Sequence, residues 1–326
     1  MEDIKLGGVR GRKGNDCIRI IMGNIGTLPE RRDDNGIYKI EQLQNTIGTD
    51  TNIVMMSELI KGINSLGRGY MKSTMPGAMG NIWFSSHGLE QRDKTNSEET
   101  AAGGVAMIVD QQPRAYINET GKDTRRLGRW VWTTFRGKGD HMVTFISTYR
   151  AGRGWSTTNN QLARIHEEIS LKQNLDEDEI AGLQDPLDLW EADLVILIAE
   201  RRMLGHVYIG GDFNLDLDDE SSRIVKFMDR NELEDVLWRK YTELPASTHA
   251  RGKKRIDGWM ATQDAPCEAG GYILIDEGPS DHMWVWIDVK VTEVLGMRPA
   301  PLIAKTKYKA CIENPICQTA IPRIDG

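Results

Sequence analysis

Short apolar segments rich in β-branched residues recur along the chain, each bounded by glycine or other turn chemistry, and this rhythm limits the fold more than any other feature. Residues 17–22, 52–56, 104–109, 130–135, 142–149, 206–209 and 283–291 all have the length and composition of strands. Between them one long amphipathic stretch stands out. Leu187, Trp190, Leu194, Leu197 and Ile198 fall on a single stripe at helical spacing, which predicts a helix over 187–203 that Gly205 stops just before the next strand. A further helix is predicted over 161–171. Many strands, few helices and hairpin-like returns imply an α/β fold made of two packed sheets with helices outside, a four-layer α/β sandwich, and not a regular βαβ winding.

The 326 residues, 39% of them hydrophobic, suit one large domain. Residues 1–16, with Arg10, Arg12 and Lys13 among glycines, read as a mobile arm. The catalytic unit is expected over 17–292, interrupted by an acidic, turn-rich surface loop at 174–188. Past Val291 the periodicity dissolves, so 293–326 reads as an extension outside the core.

A formal charge of −7 argues against a protein that coats nucleic acid through a uniformly basic surface, yet leaves room for an enzyme with basic residues at its cleft. The four cysteines, Cys17, Cys267, Cys311 and Cys317, are too scattered for a disulfide framework and match no common zinc spacing, which points to a reducing, intracellular setting. No stretch has signal-peptide or membrane-spanning character, so a soluble protein without a membrane partner is expected.

The sharpest local signal is His206-Val-Tyr-Ile-Gly-Gly-Asp-Phe-Asn214. The strand period aims Asp212 and Asn214 to one side and Phe213 toward the core, and a carboxylate beside an amide can hold an attacking water. The plain alternative is a turn with ordinary Asx chemistry. Ser280-Asp-His282 stands directly before an apolar strand, where an acid and an imidazole can serve a metal and a phosphate oxygen; a simple cap is the alternative. In Arg255-Ile-Asp-Gly258, Asp257 can orient an imidazole or be purely structural. Asn24 and Glu58 each emerge at the end of an apolar run, and such hard oxygen donors suit Mg²⁺.

Taken in order, Asn24, Glu58, Tyr149, Gly-Asp-Phe-Asn, Arg-Ile-Asp and Ser-Asp-His resemble the motif series of the endonuclease/exonuclease/phosphatase superfamily, which includes deoxyribonuclease-like, abasic-site and retroelement-type endonucleases. The resemblance runs from about Cys17 to Val291. It implies a deoxyribonuclease-like sandwich, with Mg²⁺, or Mn²⁺ in its place, held by Glu58, Asn24 and Asp281. It also implies that Asp212, supported by Asn214, activates water, that His282, oriented by Asp257, stabilises phosphoryl charge, and that Tyr149 reaches a phosphate or leaving-group oxygen. Two positions depart from it: Gly152 stands where abasic-site enzymes place an Asn, and Gly26 where some relatives place another polar ligand. Tyr149-Arg150 is closer to the Tyr-Arg pair of the retroelement enzymes.

Arg150 and Arg153 follow Tyr149, and Arg251, Lys253, Lys254 and Arg255 precede Asp257, so two basic loops are expected to grip successive phosphates, with Trp155 placed to stack on a base. The expected activity is endonucleolytic cleavage of DNA by a monomer with no indicated protein partner. The same chemistry on a phosphoinositide or sphingolipid, and an inactive nucleic-acid-binding relative, are the other readings.

Overall fold

The computed structural model describes residues 7–8, 10–26, 34–59, 82–86, 104–125, 127–152 and 186–296. Six strands form a first sheet: Cys17–Asn24 (β1), Ile53–Ser57 (β2), Ile82–Ser86 (β3), Val105–Val109 (β4), Ala269–Ile273 (β11) and Trp284–Lys290 (β12), in the order β11-β12-β1-β2-β4-β3. A second holds Ile117–Lys122 (β5), Trp130–Arg136 (β6), Met142–Tyr149 (β7), His206–Asp212 (β8), Leu233–Asp235 (β9) and Asp257–Thr262 (β10), in the order β5-β6-β7-β8-β10-β9. Each sheet is mixed, with β1 parallel to β2 and β7 parallel to β8 at its centre and antiparallel pairing elsewhere.

Strand alternation builds the layers. Ile18, Ile20, Met22, Ile53, Met55, Val105 and Met107 from the first sheet meet Val143, Phe145, Tyr208, Trp259 and Ala261 from the second in the central core. Within it Phe145 stacks on Tyr208 at 5.1 Å. The opposite face of the first sheet packs Ile21, Val54, Met56 and Ile108 against Leu43 and Ile47 of the helix Asp34–Ile47. On the outside of the second sheet, Trp130, Ile146, Val207 and Ile209 meet Trp190, Leu194 and Ile198 of the helix Pro186–Arg202, and Ile224 and Phe227 of the helix Arg223–Arg230. The result is the four-layer α/β sandwich expected from the strand rhythm. Each large apolar side chain enclosed in these layers contributes roughly 2–3 kcal/mol.

The helix Pro186–Arg202 carries proline at its first position, Asp188 in its first turn and Arg201 and Arg202 in its last, an arrangement matched to the helix dipole. It absorbs residues 186–188, the end of the expected acidic loop. The helix expected over 161–171 and the rest of that loop lie outside the described residues.

Contacts cross both expected boundaries of the catalytic unit. In the segment expected to be a mobile arm, Gly8 donates its N–H to the Gly270 carbonyl at 2.8 Å, and the Arg10 guanidinium caps the carbonyl oxygens of Thr46 and Ile47 at a helix C-terminus. The core also runs past residue 292. Val294 and Leu295 of the helix Val291–Leu295 are buried in the central core, and the Leu295 carbonyl accepts the Lys138 N–H at 2.8 Å. A charged anchor invisible to apolar patterning completes the first sheet. Arg19 lies directly across from Asp288 in the β1–β12 register and forms two 2.8 Å hydrogen bonds with its carboxylate.

Candidate active site

The strand registers bring distant residues to one edge of the sandwich. Asn24 pairs with Ser57 across β1–β2, Tyr149 with Asp212 across β7–β8, and Asp212 with Asp257 across β8–β10. Asn24 continues the inward alternation of Ile18, Ile20 and Met22, and Asp212 that of Tyr208. Their side chains therefore face each other between the sheets.

They touch there. The Asn24 amide donates from Nδ2 to Glu58 Oε2 at 2.7 Å and to Asp212 Oδ2 at 2.9 Å, while its Oδ1 accepts the Gly26 N–H at 2.8 Å. Asn24 thus bridges two carboxylates. Its oxygen, which accepts the Gly26 N–H, keeps a second lone pair for the expected role as a metal ligand. Glu58 and Asn214 have φ of 55° and 51°, left-handed conformations that cost on the order of 1 kcal/mol or more in a non-glycine residue and concentrate at functional sites. In Asn214 that turn lets the backbone N–H reach Asp212 Oδ1 at 2.9 Å and Nδ2 reach the Arg150 carbonyl at 2.8 Å. Tyr149, buried, lies beside Asn214 and Glu58.

His282 enters from the loop before β12, and its Nδ1 lies 2.9 Å from Asp257 Oδ2. Thr248, fully buried, fixes that partner by accepting the Ile256 and Asp257 N–H groups on Oγ1 at 3.0 and 3.1 Å. Ser280 ties the same loop to β1, its hydroxyl donating to the Asn24 carbonyl at 2.5 Å. Ligand atoms of Glu58, Asp212 and His282 lie within 4.8 Å of one another.

Burial and charge set the protonation states. Asp212 is pushed up to about 7, first by burial and then by the neighbouring Asp257 charge, against the pull of His282 and Asn24. Burial works against a charged His282 ring, but Asp257, by charge and hydrogen bond, and then Asp212 raise it to about 10. Burial, followed by the charges of Glu58 and Asp212, holds the Tyr149 phenol far above its usual value, so it remains an O–H donor. Asp281 is drawn below the usual carboxylate value; burial alone would raise it, but His282, His249 and Arg251 outweigh that.

The donor set fits a hard divalent cation. Glu58 and Asp281 are partly exposed carboxylates, no thiolate is near among the described residues, and the buried Asp212 stands beside Glu58.

The substrate-side expectations divide. Arg251 is 85% exposed and reaches to 3.6 Å from Asp281 Oδ2, so the loop at 251–254 borders the site. Arg255 does not face it: 1% exposed, its guanidinium bonds Asp218, Asp235 and the Tyr272 hydroxyl, because the chain turns inward on entering β10. Its expected role in substrate binding is corrected to that of a buried tie between loops. Arg150 is buried as well and offers no exposed grip on a phosphate. Arg153 and Trp155 lie outside the described residues. At Gly152, where the resemblance anticipates Asn, a Cβ would sit 2.7 Å from Asn214 Oδ1, so Asn214 already occupies that space. Motif reading overlooked Thr248, His249, which packs edge-on to His282 at 4.7 Å, and Lys39, whose ammonium donates to the Ile25 carbonyl at 2.7 Å.

No family model and no curated protein matches the chain. Solved structures do. The chain is similar to the AP endonuclease LMAP from Leishmania major, with TM-score 0.54 and 10% identity over 84% of this chain and 88% of that one. It is similar to the 3′ phosphatase NExo from Neisseria bound to a product DNA hairpin, with TM-score 0.53 and 15% identity over 83% and 98%. An endonuclease/exonuclease/phosphatase from Beutenbergia cavernae aligns with TM-score 0.51 and 16% identity over 84% and 72%. At these identities the likeness establishes a shared fold.

Proposed function

We propose that this chain, which has the fold of the endonuclease/exonuclease/phosphatase proteins, is a divalent-metal-dependent phosphodiesterase that cleaves DNA. The observation that carries the reading is the meeting of Glu58, Asp212 and His282, from three separate parts of the chain, with ligand atoms within 4.8 Å of one another.

Glu58 and Asp281 would hold Mg²⁺ or Mn²⁺, which when bound supplies charge neutralisation at the phosphate. Asp212, pushed up to about 7, is matched to accept a proton from water near neutral pH, and Asn214 beside it aligns that water. The water oxygen forms the new bond to phosphorus, and the bond to the leaving oxygen breaks; the departing alkoxide takes a proton from solvent. His282, kept protonated by Asp257, offers an N–H and a positive charge to the phosphoryl oxygens as negative charge grows there. Tyr149 donates its hydroxyl hydrogen into the same pocket.

A nucleic acid is favoured because the exposed Arg251, with Lys253 and Lys254 after it, borders the pocket, as phosphate-gripping side chains should. Two of the structurally similar proteins are named for DNA-directed activities, which supports this choice. The test is to incubate the purified protein with supercoiled plasmid in Mg²⁺ or in EDTA. Nicking only with the metal is expected. Absence of metal-dependent nicking, with turnover of a phosphoinositide instead, would replace DNA by a lipid phosphate.

A further inference from the structure

His249 itself has no part in the chemistry above, yet its segment is stitched to the loop that carries Asp281 and His282. His249 and His282 form an isolated antiparallel bridge, the Ala250 N–H donates to the Asp281 carbonyl at 2.9 Å, and the Met283 N–H donates to the Thr248 carbonyl at 2.8 Å. This places His249 Nε2 3.3 Å from Asp281 Oδ2.

Ligand atoms of His249, Asp281 and His282 lie within 4.8 Å of one another, which at first suggests a second metal centre. The other ring nitrogen argues against it. His249 Nδ1 accepts the Arg251 N–H at 3.2 Å, and a nitrogen that accepts an N–H carries no proton. In that tautomer the ring hydrogen is on Nε2, the nitrogen that lies 3.3 Å from Asp281 Oδ2. A metal-bound imidazole has the reverse polarity, donating from the nitrogen remote from the ion.

We propose that His249 is a positioning residue, whose Nε2 edge, held against Oδ2 by the backbone bridge, fixes the Asp281 carboxylate for the cation. The two carboxylate oxygens then divide the work. Oδ2 is held by His249, with Arg251 reaching it more loosely, while Oδ1 is turned toward the turn at Gly26, 3.9 Å from where a Cβ on that glycine would lie. Oδ1 is left for the metal. The Asp281 side chain is 44% exposed even with His249 in place, and Arg251, which reaches the same oxygen, is itself 85% exposed. An outer partner of this kind is worth roughly 10–100-fold in metal affinity.

The inference rests on the reading that Glu58 and Asp281 hold a divalent cation, and the test separates the two. Mn²⁺ binding to the metal-free full-length protein is measured by electron paramagnetic resonance, and Mn²⁺ dependence of plasmid nicking is followed in parallel, for wild type, Glu58→Gln, His249→Ala and His249→Gln. His249→Ala is expected to weaken Mn²⁺ binding about tenfold or more and to raise half-saturating Mn²⁺ in step, with most of kcat recovered at saturating metal. His249→Gln, whose amide N–H can reach the same carboxylate, should restore most of the affinity. Binding that is lost in Glu58→Gln but unchanged in His249→Ala would overturn the role of His249 alone, as would a His249→Gln variant no better than alanine. Binding at wild-type strength in Glu58→Gln would overturn the cation reading and the inference with it.

Discussion

Replacing Asp257 by Asn should strip His282 of its positive charge, and the structure sets the scale of the effect. Lifting an imidazole from 6.5 to about 10 corresponds to roughly 5 kcal/mol of preference for the charged ring. Asp257 is the first-ranked favourable partner, acting against burial. The amide keeps the shape but not the charge, so the ring should become neutral near pH 8. Because the folded value lies above the unfolded one, this group stabilises the native state fully below pH 6.5, and the stabilisation is lost as pH rises through about 10. Between pH 8 and pH 10 the wild type should lose about 2 kcal/mol through His282 that the variant does not lose. Asp212, also raised, has by then spent most of its own pH dependence around 7. Urea unfolding of both proteins in EDTA at the two pH values reads the difference, which cancels groups titrating in both. Imidazole resonances should show a ring that stays charged from pH 6 to 8.5 in the wild type and titrates in the variant. Turnover should fall on the order of 10²–10³-fold, the scale of one lost charge-stabilising donor. Equal losses of stability between pH 8 and pH 10, or a variant ring that still stays charged, would refute the reasoning.

Asn24→Ala removes the amide shared by Glu58 and Asp212, so Asp212 should rise further and the acid limb of the pH–kcat/KM profile should move to higher pH; an unmoved limb would mean that the bridge does not tune the base. Gly152→Asn forces the Asn214 side chain aside and should cost about 1–3 kcal/mol by overpacking together with a marked fall in kcat, measured by thermal melts and nicking rates. Arg255→Met should destabilise by about 3–5 kcal/mol, because Asp218 and Asp235 lose a buried partner, while KM for DNA stays near wild type in the folded fraction. A selective rise in KM would return Arg255 to the substrate.

The strands legible in the sequence are those with a continuous apolar run: β1, β2, β4, β6, β7 and β12 fall within a residue or two of their expected limits, and β8 starts where expected but runs on through Gly210, Gly211 and Asp212. Those not foreseen carry little apolar signal. β5, Ile-Asn-Glu-Thr-Gly-Lys, is an exposed edge strand, and β11 begins Ala-Gly-Gly, so neither shows alternation; each is held by the neighbour with which it pairs. At the site, residues directly at strand ends were readable because an apolar run that stops on a polar side chain announces where it emerges. The direction of Arg255 was not readable. A basic run records charge, whereas the partners that turn this arginine inward, Asp218 and Asp235, approach from distant parts of the chain. His249 escaped notice for a similar reason, since its meaning lies in a bridge to His282 that only the folded register creates.

Catalysis of this kind requires a cation and a phosphate to share the space between Glu58, Asp281, Asp212 and His282. Crystals soaked with Mn²⁺ and examined by anomalous diffraction test this most directly. The expected map has a peak bonded to the Glu58 and Asp281 carboxylates, on the pocket side of His282. A Mn²⁺ peak elsewhere on the molecule, with this pocket empty at saturating metal, would contradict it.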